Sequence, residues 1–298
     1  MVDVPAIVRR KALVSGAGAW LDALPSLVAK LEADWAIRVG RSLSGGHEAL
    51  VAEAEQADGT PVVLKILLPG GNEAAHEITA LRLAGGDSCA TLIRDDVSNG
   101  AMLLERLGRP LGELNRPLEE RLGILADTAM RVWSPAAGYG LPTGAEKGRW
   151  LVGFIERLWD ELNQPCSERA VTYALACAER RIAAHDDERA MLVHGDVHPW
   201  NTLEAGAGFK LVDPDGVLAE AAYDIGILMR ETADDLAEAD PMQRAQWLAH
   251  RTRINVDAIW EWGAGQRLSS GLLCLQLDLQ PAARNMLAVA ERVAFAAP

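Results

Sequence analysis

Two short polar segments, each directly after an apolar run, hold the residues best suited to chemistry. The first segment is VHGDVHPWN at 193–201, and the second is LVDPDG at 211–216. They contain the carboxylates Asp196 and Asp213 and the amide of Asn201. Oxygen donors of this kind hold Mg²⁺ against phosphate groups, and a carboxylate can accept the proton of a hydroxyl. The pattern therefore favours transfer of a phosphoryl group to a hydroxyl.

The spacing of these residues predicts a role for each of them. Asp196 is predicted to be the catalytic base, and Asn201 and Asp213 are predicted to be metal ligands. Asn201 follows Asp196 by five residues, as in the H-R-D-x-x-x-x-N catalytic loop of protein kinases, with Gly195 in place of the arginine. Asp213 stands where those enzymes have the aspartate of their D-F-G motif. The set is a far stronger signal than the HGD tripeptide alone.

A lysine inside an apolar strand is an independent indication of the same chemistry. Lys65 lies within 62–68, where every other residue is apolar. Phosphoryl transfer needs a strand lysine that holds the nucleotide phosphates and a helix glutamate that orients it. Glu73 and Glu77 share one face of the following helix, and we predict that Glu77, nearer its middle, pairs with Lys65. The alternative is that Lys65 extends along a sheet edge to reach solvent.

Two further segments are predicted to contact the nucleotide. Ser44 and Gly45, followed by Gly46, separate two predicted strands ahead of the lysine, where a loop covering the phosphates would lie. Glu105 and Leu107 lie in the connector between the two predicted lobes, whose backbone would hydrogen-bond the base of the nucleotide. A turn of glycines is common in hairpins, so the first of these signals is weak by itself.

The elements around these residues indicate an α+β protein with two lobes, at 1–107 and 108–298. The N-terminal lobe is predicted to be an antiparallel sheet with one inserted helix, and Asp58-Gly59 is a strong hairpin signal. Pro25 is expected to divide the helical pattern at 16–34 into two short helices. The predicted strands and the inserted helix are 35–43, 49–56, 62–68, 73–84 (the helix), 90–93 and 102–104.

The C-terminal lobe is predicted to be mainly helical. Two short strands, at 191–193 and 209–212, are expected to pair as a hairpin that brings both polar segments to one edge. The stretch 136–148, which contains four glycines, is predicted to be a loop. The predicted helices are 117–133, 150–163, 167–185 and most of the chain after Ala222.

The composition narrows the class of protein and of partner. The net charge is −13 over 298 residues, and the sequence has no cluster of Lys and Arg of the kind that binds nucleic acid. An acidic chain suits a cationic small molecule, although acidity also simply maintains solubility. Four cysteines without metal-ligand spacing predict reduced thiols in a cytoplasmic protein, and no apolar run predicts a membrane span. We expect a monomer or a weak dimer.

A different class, a zinc metallohydrolase, is the main alternative. His194, Asp196 and His198 alternate along the chain as zinc ligands on a strand can, with Asp213 as a further ligand. This alternative gives no task to the lysine, the helix glutamate or the amide described above. A non-catalytic nucleotide-binding module is disfavoured, because every position that phosphoryl transfer requires is filled.

The chain resembles the aminoglycoside phosphotransferase family, in particular the branch of streptomycin 6-phosphotransferases and hydroxyurea phosphotransferases. The resemblance implies a protein-kinase-like fold, ATP or GTP as donor, and Mg²⁺. It implies that Asp224 is a structural acid that holds the catalytic loop by hydrogen bonds, and we also assign His194 to structural support. It covers nearly the whole chain, and its further carriers are AAHEITALRL at 74–83, LLERLG at 103–108, AAYDIG at 221–226 and INVDAIWEWG at 254–263.

The resemblance also places the acceptor in the C-terminal lobe, where acidic side chains bind amino or guanidino groups. The candidates are Asp160, Asp215 and Glu231, and Trp200 in the catalytic loop would border the acceptor. The expected acceptor is a streptomycin-type aminoglycoside. A sugar, an amino sugar or a hydroxyurea-like compound remains open, since fold does not fix the substrate.

Overall fold

A computed structural model describes residues 3–43, 48–230 and 240–296 of the chain. The chain divides into two units, Met1–Gly108 and Arg109–Pro298. Ser44 and Gly45, predicted to contact the nucleotide, and Glu231, predicted to contact the acceptor, lie outside the described residues.

The first unit is built on an antiparallel sheet with the strand order β1-β2-β3-β5-β4. The central strand β3 buries Val62, Leu64 and Ile66, whose alternate positions face the same core. Asp58-Gly59 forms the predicted hairpin turn between β2 and β3, with Gly59 at φ +86°. The strands are β1 (Ile37–Ser42), β2 (Ala49–Gln56), β3 (Pro61–Leu67), β4 (Leu92–Asp96) and β5 (Ala101–Glu105).

Within the described residues of this unit, the α-helices are α1 (Ala6–Val14), α2 (Gly18–Trp35) and α3 (Glu73–Ala84). The expected division at Pro25 is wrong, since α2 continues through it. Leu24, Val28 and Leu31 recur at helical spacing and pack into the core of the sheet. Their burial on both sides of the proline outweighs the backbone hydrogen bond that proline removes.

The second unit is mainly helical, and its long central helix α9 is buried over most of its length. It packs against α5, α6, α7, α8 and α10. Side-chain caps start several of the helices, including Ser167 on α6, Asp240 on α8 and Asn255 on α9. The helices are α4 (Leu118–Val132), α5 (Gly144–Glu161), α6 (Glu168–Ala183), α7 (Ala222–Ile227), α8 (Pro241–Thr252), α9 (Val256–Gln276) and α10 (Ala282–Ala296).

The stretch 136–148 is only partly the loop that its glycines predicted. Helix α5 starts at Gly144, and Thr143 and Glu146 form a capping box at its N-terminus. The reciprocal hydrogen bonds of this box satisfy two backbone N–H groups that the first turn leaves unpaired. Helix formation from this point is therefore favoured despite the glycines.

The strands of the second unit pair differently from the prediction. They are β6 (Met191–Val193), β7 (Thr202–Ala205), β8 (Gly208–Leu211) and β9 (Val217–Ala219). β6 pairs with β9, and β7 pairs with β8 through a turn at Gly206, so 191–193 and 209–212 do not form one hairpin. β8 pairs with β7, its nearest neighbour along the chain, because a two-residue turn closes at a smaller entropic cost than a longer loop.

No helix among residues 3–43, 48–230 and 240–296 is long and apolar enough to cross a membrane.

Candidate active site

The two strand pairs of the second unit frame the polar segments found in the sequence. Val193 pairs with Val217 on one side, and Thr202 pairs with Leu211 on the other. The loops 194–201 and 212–216 therefore run side by side between the two ladders. Hydrogen bonds join them at both ends, from the Val212 N–H to the Asn201 carbonyl at 2.9 Å and from the Gly216 N–H to the His194 carbonyl at 3.2 Å.

Asp196 lies in the first of these loops with both carboxylate oxygens engaged. Oδ1 accepts a hydrogen bond from Nη2 of Arg230 at 2.6 Å. Oδ2 lies 3.2 Å from Nε2 of His198 and 3.2 Å from Nδ2 of Asn201. Burial raises the pKa of Asp196, but the His198 hydrogen bond and the Arg230 charge outweigh burial and lower it below its usual value. The group is therefore a carboxylate.

The His194 side chain joins the two polar loops. It is fully buried, its Nε2 donates to the Val212 carbonyl at 3.0 Å, and its Nδ1 accepts from the Asp196 N–H at 3.2 Å. Burial lowers the pKa of this imidazole, so the neutral tautomer with a proton on Nε2 fits both contacts. His194 thus ties the residue before Asp213 to the backbone of Asp196.

Asp224, predicted to be a structural acid, contacts the start of the loop that holds Asp196. Its Oδ2 accepts from the His194 N–H at 2.9 Å and from Nε1 of Trp133 at 3.0 Å, and its Oδ1 accepts from the Gly195 N–H at 2.8 Å. It is fully buried. Burial raises the pKa of Asp224, whereas the charge of His194 and these N–H donors oppose that rise. Its contacts fix the backbone directly before Asp196.

Asn201 directly precedes β7, and Asp213 lies two residues beyond β8, at the same end of the β7–β8 ladder. The Asn201 side chain directs its NH₂ group toward Asp196, at 3.2 Å from both the carbonyl and Oδ2, so its amide oxygen points elsewhere. Asp213 follows β8 in a left-handed conformation, with φ +57°. An amide oxygen and a carboxylate are donors that suit Mg²⁺, which commonly takes only one or two protein ligands beside phosphates.

Lys65 and Glu77 form the ion pair predicted in the first unit. Nζ of Lys65 lies 2.6 Å from Oε1 and 2.7 Å from Oε2 of Glu77, and each residue is 5% exposed. Glu73, the other candidate, is exposed at the first turn of α3. Lys65 therefore does not extend along the sheet edge to solvent. At the end of β5, the Glu105 N–H donates to the Thr91 carbonyl at 3.0 Å, and Leu107 lies half-buried beyond it.

Of the acceptor candidates that the structure describes, Asp160 lies far from Asp215. Asp215 is paired with Lys147, whose Nζ lies 2.7 Å from Oδ2. Lys147 is in the first turn of α5, whereas Asp160 is exposed in its last turn, about 20 Å further along a helix that rises 1.5 Å per residue. Trp200 is 60% exposed and lies against Gly112, so it flanks the loop at the surface.

Two cations of the site, Arg230 and Lys147, were absent from the sequence-based assignment. Each reaches a loop aspartate from a distant part of the chain, 34 residues away for Arg230 and 68 for Lys147. No local pattern marks Lys147. Arg230 directly follows the buried run from Ala222 to Met229, and a charge in that position is a signal that a charged partner lies nearby.

The zinc alternative is wrong on the geometry of the two histidines. The unprotonated Nδ1 of His194 accepts from the Asp196 N–H, and Nδ1 of His198 accepts from the Trp200 N–H at 3.2 Å. Neither histidine therefore presents a lone pair for zinc while these contacts stand. In the part of the chain that the structure describes, no group of three His, Cys, Asp or Glu residues could hold a metal ion.

Comparison with known proteins agrees with this site. The chain is 27% identical over 284 residues to streptomycin 6-kinase of Streptomyces griseus. The aligned region covers 93% of this chain and 91% of that protein. The chain is 30% identical over 232 residues to hydroxyurea phosphotransferase of Kitasatospora aureofaciens, covering 76% of this chain and 67% of that protein.

Solved structures show the same fold at low sequence identity. An aminoglycoside phosphotransferase, APH(4)-Ia, solved as a thermostable mutant with ADP and hygromycin B, superimposes with a TM-score of 0.59 at 13% identity, over 91% of this chain and 99% of that chain. Choline kinase LicA of Streptococcus pneumoniae gives a TM-score of 0.63 at 12% identity, over 92% and 99%. The fold is therefore the protein-kinase-like one.

The sequence matches the family described as aminoglycoside/hydroxyurea antibiotic resistance kinase over residues 34–266. This span runs from the end of α2 into α9 and includes Lys65, Glu77 and both polar loops. The chain is a kinase of the aminoglycoside/hydroxyurea phosphotransferase family.

Proposed function

We propose that this kinase transfers the γ-phosphoryl group of ATP, with Mg²⁺, to a hydroxyl of a small molecule, and that Asp196 is its catalytic base. The observation that carries the proposal is the loop geometry. Asp196 and Asn201 share one loop, tied by backbone hydrogen bonds to the loop that holds Asp213. A base beside two oxygen donors for a metal is the arrangement that this reaction requires.

The proposed reaction is a direct displacement. The acceptor hydroxyl hydrogen-bonds to the Asp196 carboxylate, which takes its proton as the oxygen attacks phosphorus and the bond to the β-phosphate oxygen breaks. When bound on Asn201 and Asp213, Mg²⁺ would neutralise charge that develops on the phosphates. Lys65, oriented by Glu77, would hold the α- and β-phosphates, and the backbone of Glu105 and Leu107 would contact the adenine.

A streptomycin-type aminoglycoside is the first candidate acceptor. The streptomycin 6-kinase of Streptomyces griseus aligns with 93% of this chain. The net charge of −13 also favours approach of a cationic antibiotic, because an acidic surface concentrates cations near it.

A neutral acceptor such as hydroxyurea is the second candidate, and the ion pairs of the loops favour it. Apart from Asp213, the proposed metal ligand, the acids of the two loops are Asp196 and Asp215, and each is already paired with a cation of this chain, Arg230 and Lys147 respectively. A guanidino or amino group placed next to these pairs would meet a positive charge. The hydroxyurea phosphotransferase of Kitasatospora aureofaciens is 30% identical to this chain.

The test is a panel of acceptors incubated with ATP and Mg²⁺, with nucleotide consumption measured and products weighed by mass spectrometry. The panel contains streptomycin, other aminoglycosides, hydroxyurea, simple sugars and amino sugars. We expect the mass of one phosphate to be added to streptomycin or to hydroxyurea. Phosphorylation of a sugar alone would keep the mechanism and reject both antibiotics, and transfer to nothing in the panel would contradict the proposal.

The role of Asp196 is tested with Asp196→Ala. We expect turnover to fall by at least about 10²-fold, because general base catalysis contributes about 10²–10⁴-fold. Binding of nucleotide should be retained, since the proposed nucleotide contacts lie on other residues. Glu156→Ala is a control, which removes an exposed acid of the same unit and should leave turnover within about twofold. A near-normal rate for Asp196→Ala would exclude the role.

A further inference from the structure

Arg230 makes the shortest contact with the carboxylate of Asp196. Its Nη2 lies 2.6 Å from Oδ1, whereas the contacts of Oδ2 with His198 and Asn201 are both 3.2 Å. The Arg230 side chain is only 20% exposed. A charge-assisted hydrogen bond of this length is about twice as strong as a neutral one, so it dominates the orientation of the carboxylate.

Arg230 is itself held at its backbone by a second arginine. Arg230 ends a short 3₁₀ turn, Leu228–Arg230, and the carbonyl of Met229 accepts from Nε and Nη2 of Arg267 at 3.1 and 2.7 Å. Arg267 lies on α9 and is 1% exposed, and desolvation lowers its pKa to about 9. Burying a guanidinium is costly, so its two bonds to one carbonyl mark a point where the backbone is tightly fixed.

Close packing holds the same turn against α9. A Cβ on Gly226 would lie 2.4 Å from Cβ of Trp262, and a Cβ on Gly263 would lie 2.6 Å from Cβ of Met229. Two glycines thus let α7 and the turn approach α9 at backbone distance. The position of Arg230 relative to α9 is therefore set by packing as well as by Arg267.

We infer that Arg230 is a positioning residue, which aims the Asp196 carboxylate at the acceptor hydroxyl, and that Arg267 acts through the Met229 carbonyl to hold Arg230 in place. The inference rests on the proposed role of Asp196 as base and extends the catalytic machinery to two residues outside both polar loops. The bond to Arg230 restrains rotation of the carboxylate while leaving Oδ2, whose contacts are longer, to take the proton.

The first test compares Arg230→Ala and Arg230→Lys with the wild-type enzyme on whichever acceptor the wild type phosphorylates. We expect kcat to fall by about 10- to 100-fold for Arg230→Ala, because misplacing a catalytic group by about 1 Å can cost about 10²-fold. The kcat of Arg230→Lys should lie between those of Arg230→Ala and the wild type. In both variants the KM for ATP should stay within about twofold of the wild-type value. Arg251→Ala removes another arginine–aspartate pair, to Asp127 at 2.9 and 2.5 Å, and should change neither value.

Chemical rescue separates positioning from a merely structural role. Guanidinium ion added to Arg230→Ala should restore part of kcat, whereas sodium chloride at the same ionic strength should not. A kcat for Arg230→Ala that is unchanged or higher, or one that falls without rescue by guanidinium, overturns the inference. If the wild type itself transfers no phosphate to any acceptor, the proposed function fails first, so the two failures are distinguishable.

The part played by Arg267 is tested by a double-mutant cycle. Arg267→Lys keeps a cationic donor in the buried position but loses the contact through two nitrogens, and it should lower kcat in the wild-type background. In the Arg230→Ala background the same change should have little further effect on kcat, because its target is already lost. Equal losses in both backgrounds would show that Arg267 does not act through Arg230.

Discussion

At the scale of single residues, the charges that matter for chemistry come in pairs whose partners lie far apart in the chain. Lys65 pairs with Glu77, and Asp196 with Arg230. A charge in a poorly hydrated site costs free energy unless it is paired or hydrogen-bonded, and the partner also fixes the direction in which the charge points. Each pair therefore both stabilises a charge and fixes the orientation of the side chain that carries it.

Glu77→Gln tests the buried pair of the first unit against a neighbour. Removing one partner of a buried ion pair costs about 3–5 kcal/mol, so Glu77→Gln should clearly lower the free energy of unfolding and weaken ATP binding. Glu73→Gln removes an exposed carboxylate of the same helix and should change the free energy of unfolding by less than about 0.5 kcal/mol. Chemical denaturation and nucleotide titration check both, and equal effects of the two changes would contradict the assignment.

At the scale of elements, the site depends on helices that approach one another at backbone distance. The turn carrying Arg230 lies against α9 through Gly226 and Gly263, while Asp224 on α7 holds the N–H groups of His194 and Gly195. The loop of Asp196 is thus positioned from α7 at its start and from the 3₁₀ turn at its carboxylate. The position of the Asp196 loop therefore depends in part on the contact between α7 and α9.

Gly226→Ala tests this contact. The added methyl group would overlap Trp262 on α9, and overpacking of a buried contact costs about 1–3 kcal/mol. We expect a lower free energy of unfolding together with a lower kcat, since the shift passes to Arg230. In Gly153→Ala the new methyl on α5 would meet nothing within 4 Å, and removing a helical glycine should stabilise by about 0.5–1 kcal/mol. Gly226→Ala as stable and active as Gly153→Ala would refute the argument.

At the scale of the whole molecule, the two units carry different parts of the proposed reaction. The first unit, Met1–Gly108, holds the buried lysine, and the second, Arg109–Pro298, holds the base and the two oxygen donors for the metal. Each set is complete within its own unit.

Nucleotide binding should raise the thermal stability of the full chain, and the metal should be part of that effect. A ligand at about 100 times its Kd stabilises by about 2.7 kcal/mol, which corresponds to several degrees in Tm. We expect ADP with Mg²⁺ to raise Tm more than ADP with a chelator, and Asn201→Ala to abolish that difference. Differential scanning fluorimetry gives the readout, and a full Mg²⁺ effect in Asn201→Ala would reject Asn201 as a ligand.

The sequence by itself determined the fold class, the family, most of the elements and the choice of Glu77 over Glu73. Period-two and helical patterns report which residues are buried, and turn residues such as Asp58-Gly59 act over a few positions, so both can be read locally. Helix α5 shows the limit of such signals. The nearby glycines predicted a loop, but the capping box of Thr143 and Glu146 stabilises the start of a helix at Gly144.

Only the tertiary structure decided how the charges around Asp196 are arranged. Arg230 and Lys147 reach their aspartates across 34 and 68 residues of the sequence. The strands next to the polar loops form two pairs, β6 with β9 and β7 with β8, rather than the one hairpin predicted. Asp215 therefore faces a lysine of its own chain, which its sequence context did not show. Long-range contacts of this kind depend on how the helices pack. A single charged residue creates no periodic sequence pattern, so the sequence does not identify the distant residue with which it will pair.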